Sequence, residues 1–279
     1  MQANKIIEEK RPSDAKKVFR KLGTCSRTFI HLLDREFGNL MENEERAADP
    51  LAGGIMQQGY QCGMLWGASL AAGAEAYRIC QHSSQAIMVA VEATKLMMSS
   101  FEEQEQTTQC REITRCDFTS NLSFAKYLFS GRFLHCFQLA EDWAPLAVEE
   151  ARKALESKPY NFDYSMSCAT EVAKKMGASE EESIMVAGFA GGLGLSGSGC
   201  GALSAALWMS ALEWCRAHEK GSATKDAHGK EIFKSFMIKT DGNILCEAIC
   251  KRDFTSLDDH TTYMMQGGCR GLIEQLSKA

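Results

Sequence analysis

AGGIMQQGYQCGMLWGASL spans residues 52–70, and AGGLGLSGSGCGALSAALW spans residues 190–208. Ala-Gly-Gly opens both stretches, and Gly59 matches Gly197. Cys62 stands eight residues after Gly54, Cys200 stands eight after Gly192, and Gly63 or Gly201 follows each cysteine. A second anchor, DFTS, occurs at 117–120 and again at 253–256, with Cys110 and Cys246 each seven residues before its Asp. The two anchor cysteines are 48 residues apart in the first copy and 46 in the second. Two anchors at near-constant separation are the mark of a duplicated unit, whose period decides the fold before any single segment does. The boundary is placed at Trp143, giving units of 1–142 and 143–279.

Working outward, Cys25 and Cys168 precede the glycine-rich stretches, and Cys136 and Cys269 follow DFTS at similar distances. Each unit therefore offers one quartet: Cys25, Cys62, Cys110, Cys136 and Cys168, Cys200, Cys246, Cys269. Between these cysteines the apolar residues recur at helical spacing. Val18, Leu22, Phe29, Leu32, Leu33 and Phe37 fit amphipathic helices interrupted near Gly23, and Ala86–Met98 and Ala144–Leu155 read the same way. Neither of those last two segments carries Pro after its first turn. Alternating runs rich in Val, Ile and Thr are nearly absent, so a sheet is not expected. The expectation is an all-α chain of two tandem homologous units, each of four to six helices, packed as a pseudo-twofold pair. KPYNFDY at 158–164 reads as a turn-rich break.

Composition narrows the function classes. Of 279 residues, 45% are hydrophobic and 24% charged, which is enough apolar material for a globular core. A net charge of −5 leaves no basic footprint for nucleic acid or an anionic membrane surface. Ile184–Cys215 carries no charge until Glu213 and is long enough to span a bilayer. Its Gly/Ser-rich middle reads instead as a turn between buried helices, and the matching stretch of the first unit is more polar, so no membrane span is expected. The N-terminal MQANKIIEEKRPSDAKK lacks the apolar core of a secretory signal, so the expected compartment is the cytoplasm. There, twelve cysteines point to metal binding, redox chemistry or core packing rather than to a disulfide scaffold.

Cys62 and Cys200 sit where a glycine-rich turn enters a helix. Free backbone N–H groups and the helix dipole favour negative charge there, so both thiols are expected to have a lowered pKa. The flanking Gly63 and Gly201 would let backbone N–H groups approach a bulky anionic centre. Four cysteines per unit match the thiolate count of a [2Fe–2S] or [4Fe–4S] cluster or of a four-thiolate zinc site. No C-x-x-C pair occurs, which weakens zinc-ribbon and thioredoxin-type readings.

The order Cys, Gly-flanked Cys, Cys, Cys resembles the redox-active proteins named for a C_GCAxxG_C_C pattern, which are themselves similar to the N-terminal part of split-Soret cytochromes. The matching positions are Cys25, Cys62, Gly63, Gly67, Cys110 and Cys136, then Cys168, Cys200, Gly201, Ala202, Cys246 and Cys269. Met64 stands where the pattern has Ala, and Ala205 where it has Gly. The resemblance implies a redox role and an iron–sulfur cluster, here one per repeat, with electron transfer to a redox partner protein. Self-association as a homo-oligomer is compatible with it. Metal-free thiol–disulfide exchange and a non-catalytic scaffold with structural zinc are the alternatives.

Buried cysteine is a common small core residue, so Cys80, Cys116, Cys215 and Cys250 are read as packing. Cys250 carries a reservation: four residues from Cys246, it shares a helical face with it and could be an alternative ligand. Asp117 and Asp253 are expected to cap a helix or turn, and His135, unmatched in the second unit, is read as incidental.

Overall fold

The computed structural model describes residues 14–157 and 164–278. Most of the KPYNFDY segment lies outside the described residues. In the first unit the helices are α1 (Ala15–Leu22), α2 (Cys25–Phe37), α3 (Glu42–Ala47), α4 (Gly63–Ile79), α5 (Ser83–Glu105), α6 (Cys110–Thr114), α7 (Asn121–Phe129) and α8 (Phe133–Glu156). The second unit follows with α9 (Cys168–Lys175), α10 (Glu180–Met185), α11 (Gly201–Ala217), α12 (Ala227–Lys239), α13 (Cys246–Cys250), α14 (Leu257–Met265) and α15 (Arg270–Leu276). No strand occurs among the described residues; the fold is all-α. Each unit has more helices than the expected four to six, because helices of five or six residues, such as α3, α6, α10 and α13, are too short to show a period.

The duplication is visible element by element. From α2 onward, each helix of the first unit has a counterpart in the second, in the same order. Local chemistry sets the boundaries. Gly23 ends α1 at φ 89°, where its N–H donates to Phe19 O, so the break falls at the expected glycine. Ser120 and Ser256 of the two DFTS segments cap α7 and α14 by accepting from Ser123 N and Asp259 N. Asp117 instead closes a turn, accepting from the backbone N and hydroxyl of Thr119. Helix α8 starts ten residues before Trp143, so it runs across the 142/143 boundary and holds Pro145 in its interior.

The units pack reciprocally. Helix α4 lies on α10 of the other unit, and α11 lies on α3, the counterpart of α10. A Cβ on Gly73 of α4 would stand 2.4 Å from Met185 O, which is why this crossing needs glycine. On the opposite side, Trp208 of α11 donates its indole N–H to Glu44 O at 3.2 Å, and Arg46 of α3 donates to His218 O at 2.7 Å. Trp66 packs edge-on to Phe189 across the interface at 4.7 Å, and both rings are fully buried. One apolar core thus runs through both units. The described helices include none long and apolar enough to cross a membrane.

Candidate thiol centres

Two local devices bring each quartet together. The first is a single antiparallel bridge, Gln61 with Gln109 in the first unit and Gly199 with Leu245 in the second. One residue further on, Cys62 N donates to Thr108 O and Cys110 N to Tyr60 O, both at 2.7 Å. Likewise Cys200 N donates to Ile244 O at 2.8 Å and Cys246 N to Ser198 O at 2.5 Å. The second and third cysteines of each quartet are thereby held side by side, at the starts of α4 and α6 or of α11 and α13.

The second device is a left-handed turn. Gly53, Gly54, Ile55, Met56 and Gln57 all have φ between 51° and 76°, and Gly191 to Leu195 repeat the pattern between 59° and 89°. Non-glycine residues in this region cost roughly 1–2 kcal/mol each, so such a run persists only where the surroundings fix it. At Gly54 a Cβ would lie 2.3 Å from Tyr60 N, and at Gly192 one would lie 2.7 Å from Ser198 N, so the turn folds tightly onto the strand-like segment before the cysteine. Its first amide points into the centre. Gly53 N–H donates to the Cys25 sulfur, and Gly191 N–H donates to the Cys168 sulfur.

In the first centre Cys25 and Cys62 are hydrogen-bonded to each other, and a Cβ on Gly63 would stand 2.6 Å from Cys25 Sγ. Gly63 therefore makes room for a sulfur. Gly67, one turn on, admits Ser26 O of α2, which a Cβ would meet at 2.0 Å. All four thiols of the quartet line one cavity of ≈ 340 Å³, walled by aromatic residues including Phe19, Phe118, Tyr127 and Phe133. Tyr127 places its hydroxyl 3.5 Å from Cys136 Sγ.

The second centre differs. Cys250 Sγ lies 3.8 Å from Cys246 Sγ and 3.5 Å from Cys269 Sγ, so it joins the quartet as a fifth thiol rather than serving as packing. Cys168 and Cys200 are close enough to act electrostatically on Cys246 and Cys269. Tyr263, the counterpart of Tyr127, puts its hydroxyl 3.9 Å from Cys269 Sγ. Gly201 plays another part than Gly63: its Cβ would collide with Phe189 O at 1.8 Å, so it protects a backbone crossing. Of the remaining cysteines, Cys116 is buried with Ser123 Oγ at 3.7 Å, and Cys215 is buried in α11.

Burial corrects the expectation for the helix-start thiols. Cys62 is raised, first because it donates to Cys25 and then because it is desolvated. Desolvation pushes Cys200 up to about 12 and Cys168 up to about 11, despite their backbone N–H donors. The lowered thiols lie elsewhere. They are Cys25 in the first centre, beside Cys62, and Cys250 in the second, beside Cys246 and Cys269.

The structure groups the eight quartet cysteines in two sets of four, as the repeat pairs them. The sequence alone missed Tyr127 and Tyr263, although each stands ten residues after the Asp of its DFTS. A lone repeated tyrosine within a helix reads as core until its hydroxyl is seen on a sulfur. Among the described residues no three His, Cys, Asp or Glu side chains are set around a point to hold a single metal ion.

The family described as "Putative redox-active protein (C_GCAxxG_C_C)" matches this chain twice, over residues 24–150 and 163–279. No curated protein and no solved structure matches it.

Proposed function

Because this chain belongs to the C_GCAxxG_C_C family of redox-active proteins, we propose that its two cysteine quartets hold iron–sulfur clusters and serve one-electron transfer to a partner protein. Cys25, Cys62, Cys110 and Cys136 are the ligands of the first centre, and Cys168, Cys200, Cys246 and Cys269 those of the second. The observation that carries the reading is the convergence of four thiols on one aromatic-walled cavity of ≈ 340 Å³.

The donor set fits. Four sulfurs per unit satisfy a [2Fe–2S] or [4Fe–4S] cluster, which supplies a one-electron couple when bound. A single zinc ion would need its ligand atoms within about 2.3 Å of one point, and no such group is formed among the described residues. A cluster spreads its ligands over several iron atoms and so places a different demand on the four sulfurs. The chain's own contribution is electrostatic and steric. Gly53 and Gly191 direct N–H donors at Cys25 and Cys168, while the aromatic wall lowers the local dielectric around the first centre. A reducing, cytoplasmic setting suits thiols that must remain available as ligands.

Anaerobic purification and reconstitution, followed by iron and sulfide assays and electron paramagnetic resonance, test this. Iron and sulfide should bind together, and Cys62→Ser should abolish the first centre while sparing the second. A chain that takes up no iron under these conditions overturns the reading.

A further inference from the structure

The two units are not chemically equal. Where the first unit has Thr114, four residues after Cys110, the second has Cys250, four after Cys246. Thr114 is buried and spends its hydroxyl on Cys110 O at 2.6 Å. Cys250 is half-buried, and its sulfur sits 3.5 Å from that of Cys269. The fourth cysteine differs as well. Cys136 lies within α8, whereas Cys269 is the residue before α15 and has φ 58°. A non-glycine residue held there marks a place where the surroundings impose the geometry. Here that geometry delivers the Cys269 sulfur to Cys250.

We propose that Cys250 and Cys269 form a dithiol–disulfide couple that reduces low-molecular-weight disulfides. The inference rests on the redox reading of this chain, and it concerns the second unit when no cluster occupies Cys269. One of the two thiolates attacks a sulfur of the substrate RSSR, forming a mixed disulfide and releasing the first RSH. The second then attacks the protein sulfur of that mixed disulfide and expels the second RSH. Overall, two thiols and RSSR give the Cys250–Cys269 disulfide and two RSH. The two electrons pass to the substrate, and the two thiol protons leave with its halves.

Cys246, although 3.8 Å away sulfur to sulfur, is the poorer partner. Cys246 and Cys250 are the ends of α13, and residues four apart on a helix keep their Cβ atoms about 5–6 Å apart. A disulfide brings Cβ atoms to about 3.5–4.5 Å, so bridging that pair would require α13 to unwind. Cys250 and Cys269 stand on separate elements and carry no such constraint. Both are half-buried while Cys246 is buried, so a narrow substrate reaches them first.

The test uses the full chain, reduced, freed of iron by chelation, treated with oxidised glutathione under argon, then blocked with N-ethylmaleimide and digested by trypsin without reduction. Peptide 240–251 should be found joined to peptide 253–270. Fragmentation of the joined pair should locate the bridge at Cys250, with Cys246 alkylated. The joined pair should persist in Cys246→Ser and vanish in Cys250→Thr, a change that copies Thr114 of the first unit. A stable glutathione adduct on Cys250 or Cys269 with no joined peptides, or a bridge that maps to Cys246, overturns the proposal, and fragmentation of the unmutated chain decides this even if a variant fails to fold. Iron uptake measured on a parallel sample reports separately on the cluster reading.

Discussion

Gly63 owes its place to Cys25: the Cβ it lacks would stand 2.6 Å from the Cys25 sulfur. Gly63→Ala should therefore push Cys25 away from Cys62 and disrupt the first centre while leaving the helices intact. Iron bound per chain should fall by about half, with little change in circular dichroism. Gly201→Ala should act otherwise, because its Cβ would meet the backbone of Phe189. There the cost is overpacking, typically about 1–3 kcal/mol, read as a lowered Tm.

The sequence made some of this legible and hid the rest for physical reasons. Offsets around Cys62 and Cys200 survive duplication because the left-handed turn and the bridge tolerate no insertion between glycine and cysteine. Cys250 was obscured because it occurs in one copy only, so no repeat vouched for it. Helix-start placement of Cys62 was readable, but its raised pKa was not, since that depends on burial and on Cys25 as a neighbour. Pro145 looked like a first-turn residue because nothing in Phe133–Asp142 announces that the helix has already begun.

Tyr127 and Tyr263 should tune whatever their sulfurs hold. Hydrogen bonds to cluster-ligating sulfur raise reduction potential, and one such bond contributes roughly 1 kcal/mol. For a one-electron couple this amounts to about 40 mV. Tyr127→Phe should lower the potential of the first centre by that order and leave the second unchanged, as followed by a spectroscopic redox titration. Tyr263→Phe should show the reverse pattern.

Asp34 gives the fold a pH dependence separate from the thiols. It is 1% exposed, neither carboxylate oxygen has a hydrogen-bond partner, and it faces Glu44, Glu45 and Glu75 with Arg78 in partial compensation. Burial first, and those carboxylates second, raise its pKa to about 8. The folded state therefore keeps a proton that the unfolded chain releases near pH 4, so stability falls as pH rises from about 4 to about 8 and levels off above. Asp34→Asn should flatten this slope and stabilise the chain at pH 9 by an amount on the order of a few kcal/mol, read as a raised Tm. A Tm that rises with pH across this window in the unmutated chain would contradict the assignment.

Gln61 joins the two centres. Fully buried, it precedes Cys62 in the first unit, yet it accepts from Gly199 N at 2.9 Å and donates to Gly192 O at 3.1 Å in the second. Gly192 lies in the left-handed turn, and Gly199 directly precedes Cys200. Gln61→Leu would leave the buried Gly199 N–H without its acceptor, at a cost of about 1–3 kcal/mol, while Gly192 O keeps the Ser196 hydroxyl. The loss falls on the opposite unit: Tm should drop, and the second centre should lose iron or expose Cys200 to alkylation before the first centre is affected. Equal loss from both centres would mean that Gln61 acts only on global stability, whereas selective loss from the second would show that the duplicated units hold their thiols in register through this one side chain.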